Sequence, residues 1–177
     1  MITLLELEPF LDTKRTELLA AIRTFGAHEQ ALTEYEGGWN VANIVEHLII
    51  IEQKVIEEVD RLFAIAPVRP SEPLEAKDVD ITELFRSHGL LGGRKQAPPE
   101  TVPTGLLPLE DGLTVLGHVR QELKGFIPLL FQRETNSIVS VHPLGVELNV
   151  CQWVLFSAFH EWAHIHQLKR IRQRHSA

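Results

Sequence analysis

Two histidines near the C-terminal end of the sequence could bind one metal ion. His160 and His164 are four residues apart in the stretch FHEWAHIHQL, so in a helix both imidazoles leave the same face, one turn apart. At about 100° per residue, Gln167 and the apolar side chains of Trp153 and Phe156 share that face. Imidazole is the commonest metal ligand in proteins, and burying two imidazoles without partners costs free energy. Two histidines on this apolar face therefore predict either a metal site or core histidines that are paired within the protein.

A third histidine, His47, lies at the edge of the apolar arc of another predicted helix. Two facing helices could bring His47, His160 and His164 to one point. Three neutral imidazoles with an open water position are typical of catalytic zinc sites, and nickel or iron(II) could occupy the same set. The single cysteine, Cys151, excludes an internal disulfide and a cage of thiolates. The alternative for His47 is a hydrogen bond to a carbonyl group at the edge of the bundle.

The same stretch also matches the HExxH motif, with Glu161 in the position of the general base. Zincin peptidases take their third ligand from downstream of this motif. Only 13 residues follow His164, and none of them carries a carboxylate. The sequence therefore argues against a zincin, and Glu161 is interpreted as a salt-bridging residue or a support for the metal ligands.

Several other polar residues are candidates for roles near the site. Gln167 could hold a metal-bound water or a ligand imidazole, or it could cap a neighbouring helix. His142 could act as an acid, a base or a fourth ligand, although a histidine in a loop is expected to be solvated. Glu52 falls inside the apolar arc of its helix, and we expect it to form a structural ion pair with Arg120.

Four long amphipathic segments must position these side chains. Apolar residues at helical spacing predict helices over residues 3–33, 40–66, 109–131 and 149–174. Asn40 is a good N-cap, and Pro128 could end the third helix early. No alternating pattern of useful length predicts a strand. The fold class is therefore all-α, a four-helix bundle whose long second connection permits a crossover topology.

That second connection, residues 67–108, holds seven of the ten prolines. We expect one short helix in it, around residues 81–91. Connections of this length often cover a functional site, so this segment is a candidate lid; the alternative is a passive crossover. The length of 177 residues and the 44% hydrophobic content suit a single domain over residues 1–177.

Charge and hydropathy exclude several classes of partner. The net charge of −7 argues against nucleic acid, because nucleic-acid binders carry a basic patch. The one basic cluster, at residues 169–174, lies where it would complement a helix dipole. No apolar run approaches the roughly 20 residues of a membrane span, and the N-terminus lacks the pattern of a signal peptide. We therefore expect a cytoplasmic protein without membrane contact.

Three stretches together resemble the DinB/YfiT-like metalloenzyme superfamily: GWNVANIVEHL (38–48), HPLGVELNVCQWVLF (142–156) and HEWAHIHQL (160–168). Members show a Trp, a small polar N-cap and a helical His, followed later by HxxxH with a Gln three residues on. The residues that match in order and spacing are Trp39, Asn40, His47, His160, His164 and Gln167. The resemblance covers essentially the whole chain.

The resemblance implies a bundle of down-up-up-down type that binds a divalent metal, zinc or nickel before iron, through His47, His160 and His164. It also implies a homodimer. Characterised relatives are transferases and isomerases that activate a low-molecular-weight thiol, and one familiar branch reads HxxxHRGQ where this chain has Ile165-His166.

Two functional hypotheses follow from the residues and the resemblance. The first is a metal-dependent enzyme acting on a small molecule, of the thiol-dependent S-transferase or hydrolase type, with Gln167, Glu161 and His142 as the candidate catalytic residues. The second is a non-catalytic metal-binding or structural bundle of the stress-response type, also dimeric.

Overall fold

The computed structural model of the protein describes residues 2–68, 80–87 and 96–176. Six α-helices lie in these ranges: α1 Leu7–Arg23, α2 Val41–Phe63, α3 Thr82–Ser87, α4 Leu109–Lys124, α5 Ile127–Leu130 and α6 Val150–His175. A short hairpin is formed by strands β1 (Val139–Val141) and β2 (Glu147–Asn149), and single 3-10 turns occupy Leu4–Glu6 and Pro99–Thr101. Of the predicted lid, residues 69–79 and 88–95 lie outside the described residues.

The four long helices form one bundle. Helix α1 packs along α6, and α2 packs against both α4 and α6. The space between them is filled by fully buried aliphatic side chains, among them Leu7, Leu11, Leu18, Ile44, Leu62, Leu116, Leu123, Leu155 and Leu168. This arrangement confirms the predicted all-α four-helix bundle. Within the described ranges, no helix has the length and apolar character needed to cross a membrane.

Asparagine caps start the two helices that carry the candidate ligands. The Asn40 side chain accepts a hydrogen bond from the Asn43 N–H at 2.9 Å, and the Asn43 side chain accepts one from the Asn40 N–H at 3.2 Å. Asn149 and Gln152 form the same reciprocal pair at the start of α6, at 2.9 and 3.0 Å. These bonds satisfy N–H groups that the helix itself leaves free. They therefore fix where α2 and α6 begin.

Two predicted helices are longer than the observed ones. The first ends at Arg23 instead of residue 33, because the chain turns at Gly26, whose N–H donates to the Glu29 carboxylate at 2.8 Å. The third is divided into α4 and α5, since Pro128 has no N–H to continue the helical ladder and lies in the first turn of α5. The predicted short helix in the second connection is observed over Thr82–Ser87.

The short β1–β2 hairpin was not predicted from the sequence. Its turn is formed by the sequence HPLG: the His142 carbonyl accepts from the Gly145 N–H at 2.8 Å, and the His142 N–H donates to the Val146 carbonyl at 2.7 Å. Pro143 suits the first central position of such a turn, and Gly145 adopts a φ of 82° that a side chain would strain. Strands of three residues are too short to show alternation in a sequence.

A buried ion network joins all four long helices. Glu52 of α2 contacts Arg15 of α1 at 2.7 Å and also binds the Nε of Arg120 on α4. Glu161 of α6 contacts the same two arginines, at 2.5 Å and 3.1 Å. The predicted pair of Glu52 with Arg120 is therefore confirmed, as one side of a four-membered network.

Loss of one charge from this network should destabilise the bundle. We expect Glu52→Gln to lower the free energy of unfolding by about 3–5 kcal/mol, because Arg15 and Arg120 then lose a buried counter-charge. Urea unfolding followed by circular dichroism measures this, with the exposed Glu57→Gln on the same helix as the matched control. Equal stability of the two variants would contradict the expectation. The double variant Glu52→Leu/Arg120→Met should recover much of the loss.

Candidate metal centre

Three imidazoles converge between α2 and α6. The Nε2 atom of His160 lies 3.0 Å from Nε2 of His47 and 3.2 Å from Nε2 of His164. The three candidate ligand atoms all lie within 4.8 Å of one another. Two nitrogens bound at about 2.0–2.1 Å to a tetrahedral ion are about 3.3 Å apart. The cluster is therefore compatible in donor type and spacing with one divalent metal ion.

Hydrogen bonds at the far side of two of the rings set their tautomers. Nδ1 of His47 lies 2.7 Å from the carbonyl oxygen of Thr101, and Nδ1 of His164 lies 2.8 Å from Oε1 of Gln167. Both oxygens can only accept, so each Nδ1 carries the hydrogen and each Nε2 presents a lone pair to the centre. Metal-binding histidines are commonly oriented by such bonds. A cation at the centre would relieve the repulsion between lone pairs.

Burial keeps the three rings neutral. Desolvation lowers the pKa of His47, although the hydrogen bond to Thr101 partly offsets this. The pKa of His160 is well below its usual value, and that of His164 falls to about 3, in both cases through burial first and then through the neighbouring imidazoles. The neutral imidazole is the form that binds metal. The cluster is thus held in its ligating state without competition from protons near neutral pH.

Aromatic rings enclose one side of the cluster. The Trp39 ring, immediately before the N-cap of α2, lies 4.6 Å from the His47 ring and 6.4 Å from the His164 ring. The Phe156 ring lies 5.5 Å from that of His160. His47 is only 3% exposed, whereas His160 keeps partial exposure. Ligands could therefore approach the cluster from the His160 side.

A carboxylate next to the first ligand holds the loop that supports it. Glu46 accepts hydrogen bonds from the N–H and O–H of Thr104, at 2.9 and 2.6 Å, and from the Gly105 N–H at 2.9 Å. These bonds hold the loop on α2, where the Thr101 carbonyl reaches His47. Glu46 was not predicted to belong to the site. The feature of the sequence that could have identified it is a carboxylate inside an apolar run, directly beside the candidate ligand His47.

The other candidates occupy three different environments. Gln167 contacts a ligand imidazole, as one of the two sequence interpretations proposed. Glu161 lies in the ion network with Arg15 and Arg120, and burial raises its pKa. His142 is only 6% exposed, so the expectation of a solvated loop histidine was wrong: the HPLG turn folds its ring against α6.

The fold and the cluster together define a four-helix bundle with a buried three-histidine site compatible with a metal. The family model of the DinB superfamily matches residues 11–168. The chain therefore belongs to the DinB superfamily, which confirms the resemblance drawn from its motifs.

A solved structure shares the fold. The crystal structure of TT2238, described as a four-helix bundle protein, is similar with a TM-score of 0.61 and 22% identity, covering 97% of this chain and 99% of that chain. At this identity the likeness concerns the fold alone. No curated protein matches the sequence.

Removal of the Gln167 amide should weaken metal binding without abolishing it. We expect Gln167→Ala to lower the affinity for zinc by about 10- to 100-fold, because His164 loses the acceptor that fixes its tautomer. Competition with a chromogenic chelator measures the affinity. Gln173→Ala, at an exposed position of the same helix, is the matched control, and equal affinities for the two variants would contradict a supporting role for Gln167.

Proposed function

We propose that the protein is a metal-dependent enzyme acting on a small molecule, with the ion held by His47, His160 and His164. One observation carries this proposal: three imidazole nitrogens lie within 4.8 Å of one another, and two of them have lone pairs fixed toward the centre by Thr101 and Gln167. Zinc or nickel fits the all-nitrogen ligand set best, and iron(II) is the alternative.

When bound, such an ion supplies a Lewis acid that makes a water or a thiol nucleophilic at neutral pH. The protein contributes orientation and exclusion of water. His47 and His164 are each held by a second hydrogen bond, while Trp39 and Phe156 shield the rings. We therefore propose S-transfer to or from a low-molecular-weight thiol, or hydrolysis of a small substrate, as the reaction class.

The position of Glu161 favours these reactions over peptide hydrolysis of the zincin type. In a zincin, the glutamate of HExxH must be free to take a proton from water. Here Glu161 binds Arg15 and Arg120 in the bundle interior. We therefore assign Glu161 a structural role and retain Gln167 and His142 as the candidates for contact with the substrate. We further propose that the protein is a cytoplasmic homodimer that binds neither nucleic acid nor a membrane.

A non-catalytic role is the second candidate, and one observation favours it. The separations of 3.0 and 3.2 Å between the ring nitrogens are also hydrogen-bond distances. A hydrogen on Nε2 of His160 could be donated to His47 or to His164, which would satisfy part of the cluster without an ion. The protein would then be a structural bundle, or one that binds metal without turnover.

Elemental analysis separates a metal site from a purely structural cluster. Protein purified without an affinity tag or chelator should hold about one equivalent of zinc, nickel or iron, and His164→Ala and His47→Ala should hold none, because each loses one of three ligands. His118→Ala, on the exposed face of α4, is the matched control and should keep the metal.

Two results would overturn the proposal. One is a full equivalent of metal in His164→Ala. The other is a wild-type protein that holds no metal and takes up none when ions are added, which would leave the structural role. Where the metal is found, assays of thiol transfer to an electrophile and of ester hydrolysis test the reaction class.

A further inference from the structure

A buried imidazole outside the cluster has one nitrogen without a hydrogen-bond partner among the described residues. His142, 6% exposed, lies at the first position of the hairpin turn, where its Nδ1 accepts a hydrogen bond from the Leu144 N–H at 3.1 Å. Because an amide N–H can only donate, Nδ1 carries the lone pair and the hydrogen of the neutral ring is on Nε2. In the part of the chain that the structure describes, no group accepts from this Nε2–H.

The ring of His142 is held by aromatic side chains that lead to the metal centre. Its centroid lies 4.5 Å from that of Phe156, 5.1 Å from that of Trp153 and 6.3 Å from that of Phe85 on α3. Phe156 is one helical turn before His160 and also contacts its ring. The Nδ1 edge of His142 faces the turn, so Nε2 is not used by the turn.

Packing alone does not account for a histidine at this position. A phenylalanine would fill the same space among Phe85, Trp153 and Phe156, but it would neither accept from the Leu144 N–H nor present a donor. Burial of most of the ring keeps it neutral by lowering the pKa of His142 to about 4, while Nε2 is not among the described side-chain atoms that are fully buried without a partner. The fixed tautomer therefore presents an accessible hydrogen-bond donor beside Phe156, whose ring also contacts His160.

We propose that His142 is a substrate-binding residue whose Nε2–H donates to the anionic oxygen or sulfur of a small ligand bound at the metal centre. The ligand class is a small carboxylate or thiolate with an apolar body that packs on Phe85 and Phe156. This inference rests on the proposed function, since the ligand anion lies between His142 and the three-histidine cluster.

Two variants separate the donor from the other features of the ring. His142→Phe keeps the aromatic packing and removes both nitrogens. His142→Asn removes the packing, but its side-chain oxygen can accept from the Leu144 N–H as Nδ1 does, which preserves the turn. Both variants lack the Nε2–H. His118→Phe, at an exposed position, is the control.

The test measures binding of phenylacetate to the cobalt(II)-loaded protein by visible absorption. Both His142 variants should keep one equivalent of cobalt and bind phenylacetate at least about tenfold more weakly than wild type and His118→Phe, as expected for loss of a hydrogen bond to a charged group. The uncharged 2-phenylethanol should bind weakly and equally to all four proteins. In the metal-free protein, long-range 1H–15N spectra should show His142 as the Nε2–H tautomer.

Each contrary result has a distinct meaning. If both His142 variants hold cobalt and bind phenylacetate as wild type does, the donor role is wrong and the metal site stands. Loss of affinity in the Asn variant alone would assign His142 to packing and overturn the inference. Failure of cobalt-loaded wild type to bind phenylacetate would overturn the ligand class. A wild-type protein that takes up no cobalt would overturn the proposed function and this inference together.

Discussion

The ion network of Arg15, Glu52, Arg120 and Glu161 is the interaction on which the rest of the structure depends. Each of the four long helices contributes one charge, and a buried charge is tolerated only where its partners are in place. The axial alignment of the helices must therefore bring all four charges together. Glu161 directly follows His160, so the alignment that closes the network also places the His160 face of α6 against α2.

Local bonds then refine what the network positions. The caps at Asn40 and Asn149 determine where α2 and α6 start, and Nε2 of His47 on α2 lies 3.0 Å from Nε2 of His160 on α6. Glu46 holds the loop whose Thr101 carbonyl accepts a hydrogen bond from His47. Gln167, within α6, accepts one from His164. His47 and His164 thus each have a hydrogen bond at Nδ1 that fixes the ring. His160 lies between them and contacts both rings through its Nε2.

Much of this arrangement could be predicted from the sequence, because it depends on helical periodicity. The shared face of His160, His164 and Gln167 follows from their spacing, and the pair of Glu52 with Arg120 follows from two charges on apolar faces. The participation of Arg15 could not be predicted, since it lies among polar residues of α1 and its role depends on how the helices are aligned. The hairpin and the Glu46 contacts depend on pairings between distant or very short segments, which periodicity does not report.

The four imidazoles near the proposed site share a neutral charge state but differ in whether they present a hydrogen-bond acceptor or a donor to it. Desolvation lowers the pKa of His47, His160, His164 and His142 alike, so none of them contributes a positive charge near neutral pH. Their different hydrogen-bond partners then decide their roles: His47 and His164 donate outward and present lone pairs to the centre, whereas His142 accepts from its own turn and presents an N–H. Acceptors suit a cation and a donor suits an anion. A site with both, walled by aromatic rings, is complementary to a metal ion together with the small anion that we propose it binds.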